Sequence, residues 1–304
     1  MAIVEGSKDF DQIKQVTSLE DIQRSYSHLT NCDPFQDMLF AEADGEPIAY
    51  CRVFWKQLLE GDRIYWHLGT LLPEWRRKGI GRTMLRWCER RLLQIASGHA
   101  NDGERFFQTS GADTQVGKEA LVLSEGYEPV RHEVEMARAL DGKLPDLPIP
   151  PGLEVRPAKE EHIRPIWEAS VEAFRDHWGY APPTEETFPE WLEEPTFNPE
   201  LWKVAWDGDR VAGMVLNFID ERENEEYNRK RGYTEGISVR RPWRRRGLAR
   251  ALIAQSFHML RDLGMEEAAL SVDTQNLSGA FRLYKGMGFE RVKRWTDYRK
   301  PLEE

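Results

Sequence analysis

Apolar residues recur at helical spacing over residues 79–96, where Met84, Leu85, Cys88, Leu92 and Ile95 fall on one stripe. The same stripe returns over 247–263, with Leu252, Ile253, Ser256 and Leu260 at the matching positions. Each follows a strand-like run, 64–72 in the first case and 233–239 in the second. Upstream, the runs 38–43 and 47–55 meet at Asp44-Gly45, and 201–206 and 210–219 flank Asp207-Gly208-Asp209, so two hairpins are predicted. Further helices are predicted over 19–28, capped by Ser18, and over 159–174 and 184–193. Both halves close as strand, helix, strand: 105–109, 115–125 and 127–136, then 268–272, 278–287 and 289–298. Hairpins first and a strand–helix–strand ending predict an α+β fold, not a doubly wound sheet.

Between the halves, residues 141–152 hold four prolines and two glycines, which exclude a helix or a central strand. The linker divides the chain near residue 148 into expected domains 1–148 and 149–304.

The two stripes open on a duplicated segment. An offset of 168 sets Trp75 on Trp243, Arg76 on Arg244, Gly79 on Gly247, Gly81 on Ala249 and Arg82 on Arg250. Small residues at a strand–helix junction let a ligand approach the backbone, and a helix N-terminus offers free N–H groups to an anion. Basic residues in a first helical turn oppose the helix dipole, so an anionic ligand accounts for them better than a plain capped helix does.

The 304 residues carry 52 acidic and 42 basic side chains, a net charge of −10. That balance argues against a nucleic-acid partner and suits a cationic amine. Cys32, Cys51 and Cys88 show no disulfide or zinc spacing, and the seven histidines no metal spacing, so no metal is expected. Without a long apolar run or a signal-like N-terminus, the expectation is a cytoplasmic protein with no membrane partner.

Arg244-x-x-Gly247-x-Ala249 and Arg76-x-x-Gly79-x-Gly81, together with Asn276-x-x-x-Ala280-x-x-x-Tyr284 and Gly288-Phe289, resemble the signatures of the GNAT acetyltransferases. The whole chain is similar to tandem GNAT proteins, a plan that mycothiol synthase shares. The resemblance implies two domains, each a mixed, mostly antiparallel sheet flanked by helices, with acetyl-CoA as cosubstrate and a small-molecule or peptide amine as acceptor. It implies that Arg244, Arg245, Arg246, Gly247, Leu248, Ala249 and Arg250 hold the pyrophosphate, that Val239 N–H binds the thioester carbonyl and that Asn276 binds pantetheine. By the same resemblance Tyr284 protonates the departing thiolate. Glu235 is the candidate general base; its other reading is an exposed strand residue or ion-pair partner. Asp220, Glu225 and Glu226 form an acidic loop able to attract an ammonium group, or simply a solvated charge run. Phe174, His177, Trp178 and Tyr180 are the expected acceptor contacts; Trp167, Trp178, Trp191, Trp202 and Trp206 could line an acceptor cleft, with core packing as the default.

In the first half, Arg76, Gly79 and Gly81 keep the phosphate loop, but Val122 falls opposite Tyr284 and Thr114 opposite Asn276. That half is expected to bind acetyl-CoA without turnover, or to bind nothing. A non-catalytic acyl-CoA sensor is the competing reading for the whole chain.

Overall fold

The computed structural model describes residues 1–14 and 16–303. In chain order the elements are α1 (Ala2–Lys8), α2 (Leu19–Ser27), β1 (Met38–Ala43), β2 (Glu46–Gln57), β3 (Arg63–Leu71), α3 (Ile80–Ala96), β4 (Arg105–Ala112), α4 (Val116–Ser124) and β5 (Glu128–Ala139). There follow β6 (Glu154–Arg156), α5 (Glu160–Phe174), α6 (Thr187–Leu192), β7 (Lys203–Asp207), β8 (Arg210–Phe218), α7 (Glu221–Glu226), β9 (Arg231–Val239), α8 (Leu248–Asp262), β10 (Glu267–Asp273), α9 (Ala280–Gly286) and β11 (Glu290–Pro301). The predicted α+β order holds. Helix α1, helix α7 and the short β6 were not predicted. Ser18 caps α2 through a reciprocal capping box with Asp21.

Two compact units form, one from Met1–His132 with Arg294–Glu304 and the other from Glu133–Lys293. They depart from the expected halves 1–148 and 149–304. In the first unit the sheet order is β1-β2-β3-β4-β11, and in the second β5-β10-β9-β8-β7-β6. The last strand of each half thus completes the other unit's sheet. Strand β11 pairs antiparallel with β4 from Trp295↔Ala112 to Pro301↔Phe106, and β5 with β10 from Glu133↔Asp273 to Ala139↔Glu267. Both strands are twelve residues long and alternate in burial, so either could satisfy either ladder. The linker packs on the second unit, with Leu140 and Leu144 in the α8 core.

In the first unit the α3 stripe of Met84, Leu85, Cys88 and Leu92 is buried with Tyr65, Val122 and Tyr298. In the second unit, α8 buries Leu252, Ile253 and Leu260 against Val134, Met136 and Leu270 on one sheet face. The other face packs Met214 and Val204 against Ile166 and Ala169 of α5, with Trp202 and Trp206 in that core. Trp191 stacks on Trp202 at 5.3 Å. Among the described residues, no helix is long and apolar enough to cross a membrane.

Candidate active site

Each unit opens between two parallel strands. Strands β9 and β10 pair only from Arg231↔Glu267 to Tyr233↔Ala269, and β3 and β4 only from Arg63↔Arg105 to Trp66↔Gln108. Beyond those points the strands splay apart, which leaves a V-shaped gap in each sheet.

At the mouth of each gap lies the duplicated loop, with the same backbone in both copies. Arg245 (φ 62°) and Gly247 (φ 85°) repeat the left-handed Arg77 (φ 63°) and Gly79 (φ 84°). A Cβ on either glycine would meet nothing within 4 Å, so space for a ligand lies directly against the backbone. Neither helix has a side-chain cap, and the first intrahelical bonds are Ala251 N–H to Gly247 O and Thr83 N–H to Gly79 O. The N–H groups of Leu248, Ala249 and Arg250, and those of Ile80, Gly81 and Arg82, therefore have no intrahelical acceptor. This geometry fits a pyrophosphate in both units.

The side chains around the two loops differ. Arg244 is not free for phosphate. It donates through Nε to Val239 O (2.9 Å) and pairs with Asp176 (3.2 Å), as Arg76 does with Leu71 O (3.0 Å) and Asp11 (2.6 Å). These arginines brace the loop. Arg246 donates to Pro151 O. Arg245 and Arg250 are exposed and have no carboxylate partner among the described residues. In the first unit Arg82 is instead neutralised by Glu125 at 2.7 Å, a position that Met287 occupies in the second.

Strand β9 is bulged where β3 is straight. Its register with β8 shifts between Met214↔Ser238 and Leu216↔Glu235, and Gly236 takes φ 57° there. Strand β3 pairs with β2 without a shift from Leu71↔Ala49 to Arg63↔Gln57. Arg240 N–H bonds Ala212 O, so by alternation the Val239 N–H turns away from β8 and toward the splayed side. That is the direction a donor to a bound thioester needs.

Glu235 is half-buried on β9 and accepts from Ser271 N–H at 2.7 Å. Burial pushes its carboxyl up to about 8; the Ser271 bond opposes this, and the charges of Glu133 and Glu135 reinforce it. Tyr284 of α9 is buried beside Phe289, and its phenol is raised first by burial and then by Glu235. A carboxylate able to take a proton near neutral pH and a phenol that keeps its own thus act on each other. Asn276 accepts from Ser278 N–H (2.8 Å) through its carbonyl, while its amide lies 3.4 Å from His177 Nε2. His177 stacks edge-on with Phe174 at 4.5 Å, on the loop that also carries the exposed Trp178 and the half-buried Tyr180. The structure so brings the predicted acceptor loop to Asn276.

The acidic loop is elsewhere. Asp220 caps α7, and Glu225 lines a surface pocket with Glu221, Asn224, Lys230 and Glu266, none of them in the phosphate loop or beside Glu235.

In the first unit the offset of 168 puts His67 at the position of Glu235. His67 is buried, its Nε2 is 2.8 Å from Tyr127 Oη, and burial, then Lys118 and Lys300, push it down to about 3. This imidazole is neutral and a poor base. Val122, which the sequence sets at the position of Tyr284, is buried in the first unit's core. Sequence reasoning passed over His67, although the offset that aligns the loops already marks it. It also passed over Ser238 and Glu133.

Residues 7–100 and 163–289 match the profile of the acetyltransferase (GNAT) family. The chain belongs to the GNAT family. This N-acetyltransferase is 29% identical over 259 residues to a mycothiol acetyltransferase of Geodermatophilus obscurus, covering 84% of this chain and 79% of that one. It is 29% identical to that of Thermobifida fusca over 241 residues, 73% and 70% of the two chains. A GCN5-related N-acetyltransferase from Sphaerobacter thermophilus superposes with a TM-score of 0.74 at 26% identity, covering 99% of this chain and 91% of that one. A tandem GNAT protein from the clavulanic acid biosynthesis pathway shares the fold, with a TM-score of 0.66 at 13% identity, covering 99% of this chain and 95% of the other. GNAT enzymes use acetyl-CoA, and the tandem expectation stands on both matched segments. Among the described residues no group of three metal-ligating side chains occurs.

Proposed function

We propose that the unit Glu133–Lys293 transfers an acetyl group from acetyl-CoA to a small-molecule primary amine, and that the other unit binds without turning over. The observation that carries this reading is that Glu235, next to the β9 bulge and raised by burial, lies close enough to the buried Tyr284 for its charge to raise the phenol. Acetyl-CoA supplies an activated thioester. The N–H groups of Leu248, Ala249 and Arg250 would hold its pyrophosphate, with Arg245 and Arg250 nearby. The Val239 N–H is positioned for the thioester oxygen, where a fixed donor stabilises charge that develops as the amine attacks. Glu235 accepts the proton of the attacking amine, directly or through a water. As the new N–C bond forms and the C–S bond breaks, Tyr284 gives its proton to the sulfur.

In the first unit the same loop geometry meets a neutral His67, a valine and an Arg82 already paired with Glu125. That combination supports binding without proton transfer. The names of the relatives recommend a mycothiol-related amine as one acceptor to assay. The deciding experiment follows free-thiol release from acetyl-CoA with a panel of amines. Release that requires Tyr284 supports the reading. Binding of acetyl-CoA with no release for any amine would return the chain to a sensor.

A further inference from the structure

The face of the second sheet that carries Glu235 is more acidic than its own fold requires. Strand β5 enters this unit at Glu133 and sets Glu133 directly opposite Asp273 of β10. Like charges directly opposite each other in an antiparallel pair are destabilising. Asp273 Oδ1 accepts from Gln275 N–H, and Glu135 is paired with Arg231 at 2.5 Å. Glu133 is solvent-exposed on this face and has no basic partner among the described residues: the desolvation its neighbours impose and then Asp273 raise its carboxyl, and the Ser271 side chain lowers it.

Ser271 stands between the two carboxylates. It gives its N–H to Glu235 and its side-chain hydrogen bond to Glu133. Strands β9 and β5 flank β10, and because β9 has left its ladder with β10 by Glu235, the two backbones are more than two strand spacings apart, over roughly 9–10 Å. A second, independent feature points to a ligand on this face. Ser238 lies on the same side of β9 as Glu235, because Met214 and Leu216, their partners, share a side of β8. Ser238 is only 7% exposed, and its Oγ has no hydrogen-bond partner. A buried hydroxyl left unpaired costs free energy unless a bound group completes it.

The sister unit shows that the fold does not need these charges. There the pair at the same register is Thr296 opposite Gly111, and His67 replaces Glu235. The carboxylates occur only beside the acid and base.

We infer that the acceptor is a dication, with the reacting primary amine at Glu235 and a second, protonated amine on Glu133. The inference rests on the acetyl-transfer reading for the site but not on turnover for its test. An ammonium group between Glu133 and Asp273 relieves their repulsion, while a neutral tail in the same place leaves it.

The test compares 1,4-diaminobutane with n-butylamine on the full chain. With the protein saturated in coenzyme A, calorimetry should show the diamine binding at least about tenfold tighter than the monoamine, and Glu133→Gln should erase that preference. In steady-state kinetics the ratio of kcat/KM for diamine over monoamine should fall about tenfold in Glu133→Gln, chiefly through KM. Asp273→Asn, which keeps an acceptor for Gln275 N–H, should lower the same ratio. Equal binding of the two amines by the wild type overturns the inference, as does an unchanged ratio in Glu133→Gln. If diamine binding depends on Glu133 but no amine of the wider panel is acetylated, the acetyl-transfer reading fails while the dication site on Glu133 stands.

Discussion

The two units share one loop and differ in what surrounds it. Both place a left-handed arginine and a left-handed glycine before an uncapped helix, and both splay two parallel strands beside it. Only the second bulges the strand that lines the gap, frees Arg250 from a carboxylate, and has a carboxyl whose charge raises a buried phenol. The first fills the equivalent positions with His67, Tyr127 and Val122, a hydrogen-bonded and apolar interior. Backbone geometry for binding an anion is cheap to retain after duplication, since it needs only glycine and a helix start. Proton transfer needs specific side chains with suitably shifted pKa values, and a neutral His67 and Val122 stand where Glu235 and Tyr284 stand in the second unit.

The largest effect should separate chemistry from binding. Tyr284→Phe and Glu235→Gln should each lower kcat by about 10²–10⁴-fold while acetyl-CoA affinity, read by calorimetry, stays near wild type. His67→Gln should leave turnover close to wild type. If His67→Gln abolishes turnover and Tyr284→Phe does not, the units have been assigned in reverse.

Next come the loops. Gly247 and Gly79 are both left-handed with open space beside them, so Gly247→Trp and Gly79→Trp should each remove one acetyl-CoA site, weakening it by at least about tenfold. Only Gly247→Trp should stop acetylation. A wild-type stoichiometry of one would show that the first unit's loop is empty, and an unaltered titration of a folded Gly247→Trp would remove the loop from the site.

The pH dependence sharpens the contrast further. Glu235 is raised to about 8, so its basic form is populated above that pH and kcat/KM should drop about tenfold per unit below it. The same shift bears on stability. A carboxyl raised in the folded state favours folding while protonated, and that advantage is lost as pH climbs from its ordinary value of 4.5 through about 8. Glu235→Gln should therefore gain stability over wild type as pH rises, seen in thermal melts at pH 5 and pH 9. His67, pushed down from 6.5 to about 3, favours folding increasingly as pH rises toward 6.5, a slope of opposite sign that wild type and Glu235→Gln share and that cancels in their difference.

The smallest effect concerns the first unit alone. Tyr127→Phe leaves buried His67 without its 2.8 Å partner and should cost about 1–3 kcal/mol in urea unfolding, with acetylation unaffected. A drop in turnover larger than the stability loss explains would couple that interior to catalysis.

Much of this was written locally. The stripes Met84–Leu85–Cys88–Leu92 and Leu252–Ile253–Ser256–Leu260 are buried as their spacing predicts, and the two loops have the glycines their left-handed turns demand. Val122 in place of Tyr284 was likewise legible in the sequence, and the expectation that the first half lacks the proposed acid rests on it. These features depend on residues within a few turns of each other, where period and backbone preference act directly. Three others depended on distant partners. The exchange of β5 and β11 is invisible in the chain because both strands carry the same alternation and either ladder would accept them. That exchange brings Glu133 to Glu235, although the linker had assigned it to the other half. The bulge at Gly236 appears only when β9 is laid on β8, and the shift of Glu235 follows only from what buries it. Sequence determined the periodic elements, though not α1, α7 or β6, and which loop could hold an anion; the tertiary structure decided which carboxylates share a face, because strand pairing and burial are set by residues far apart in the chain.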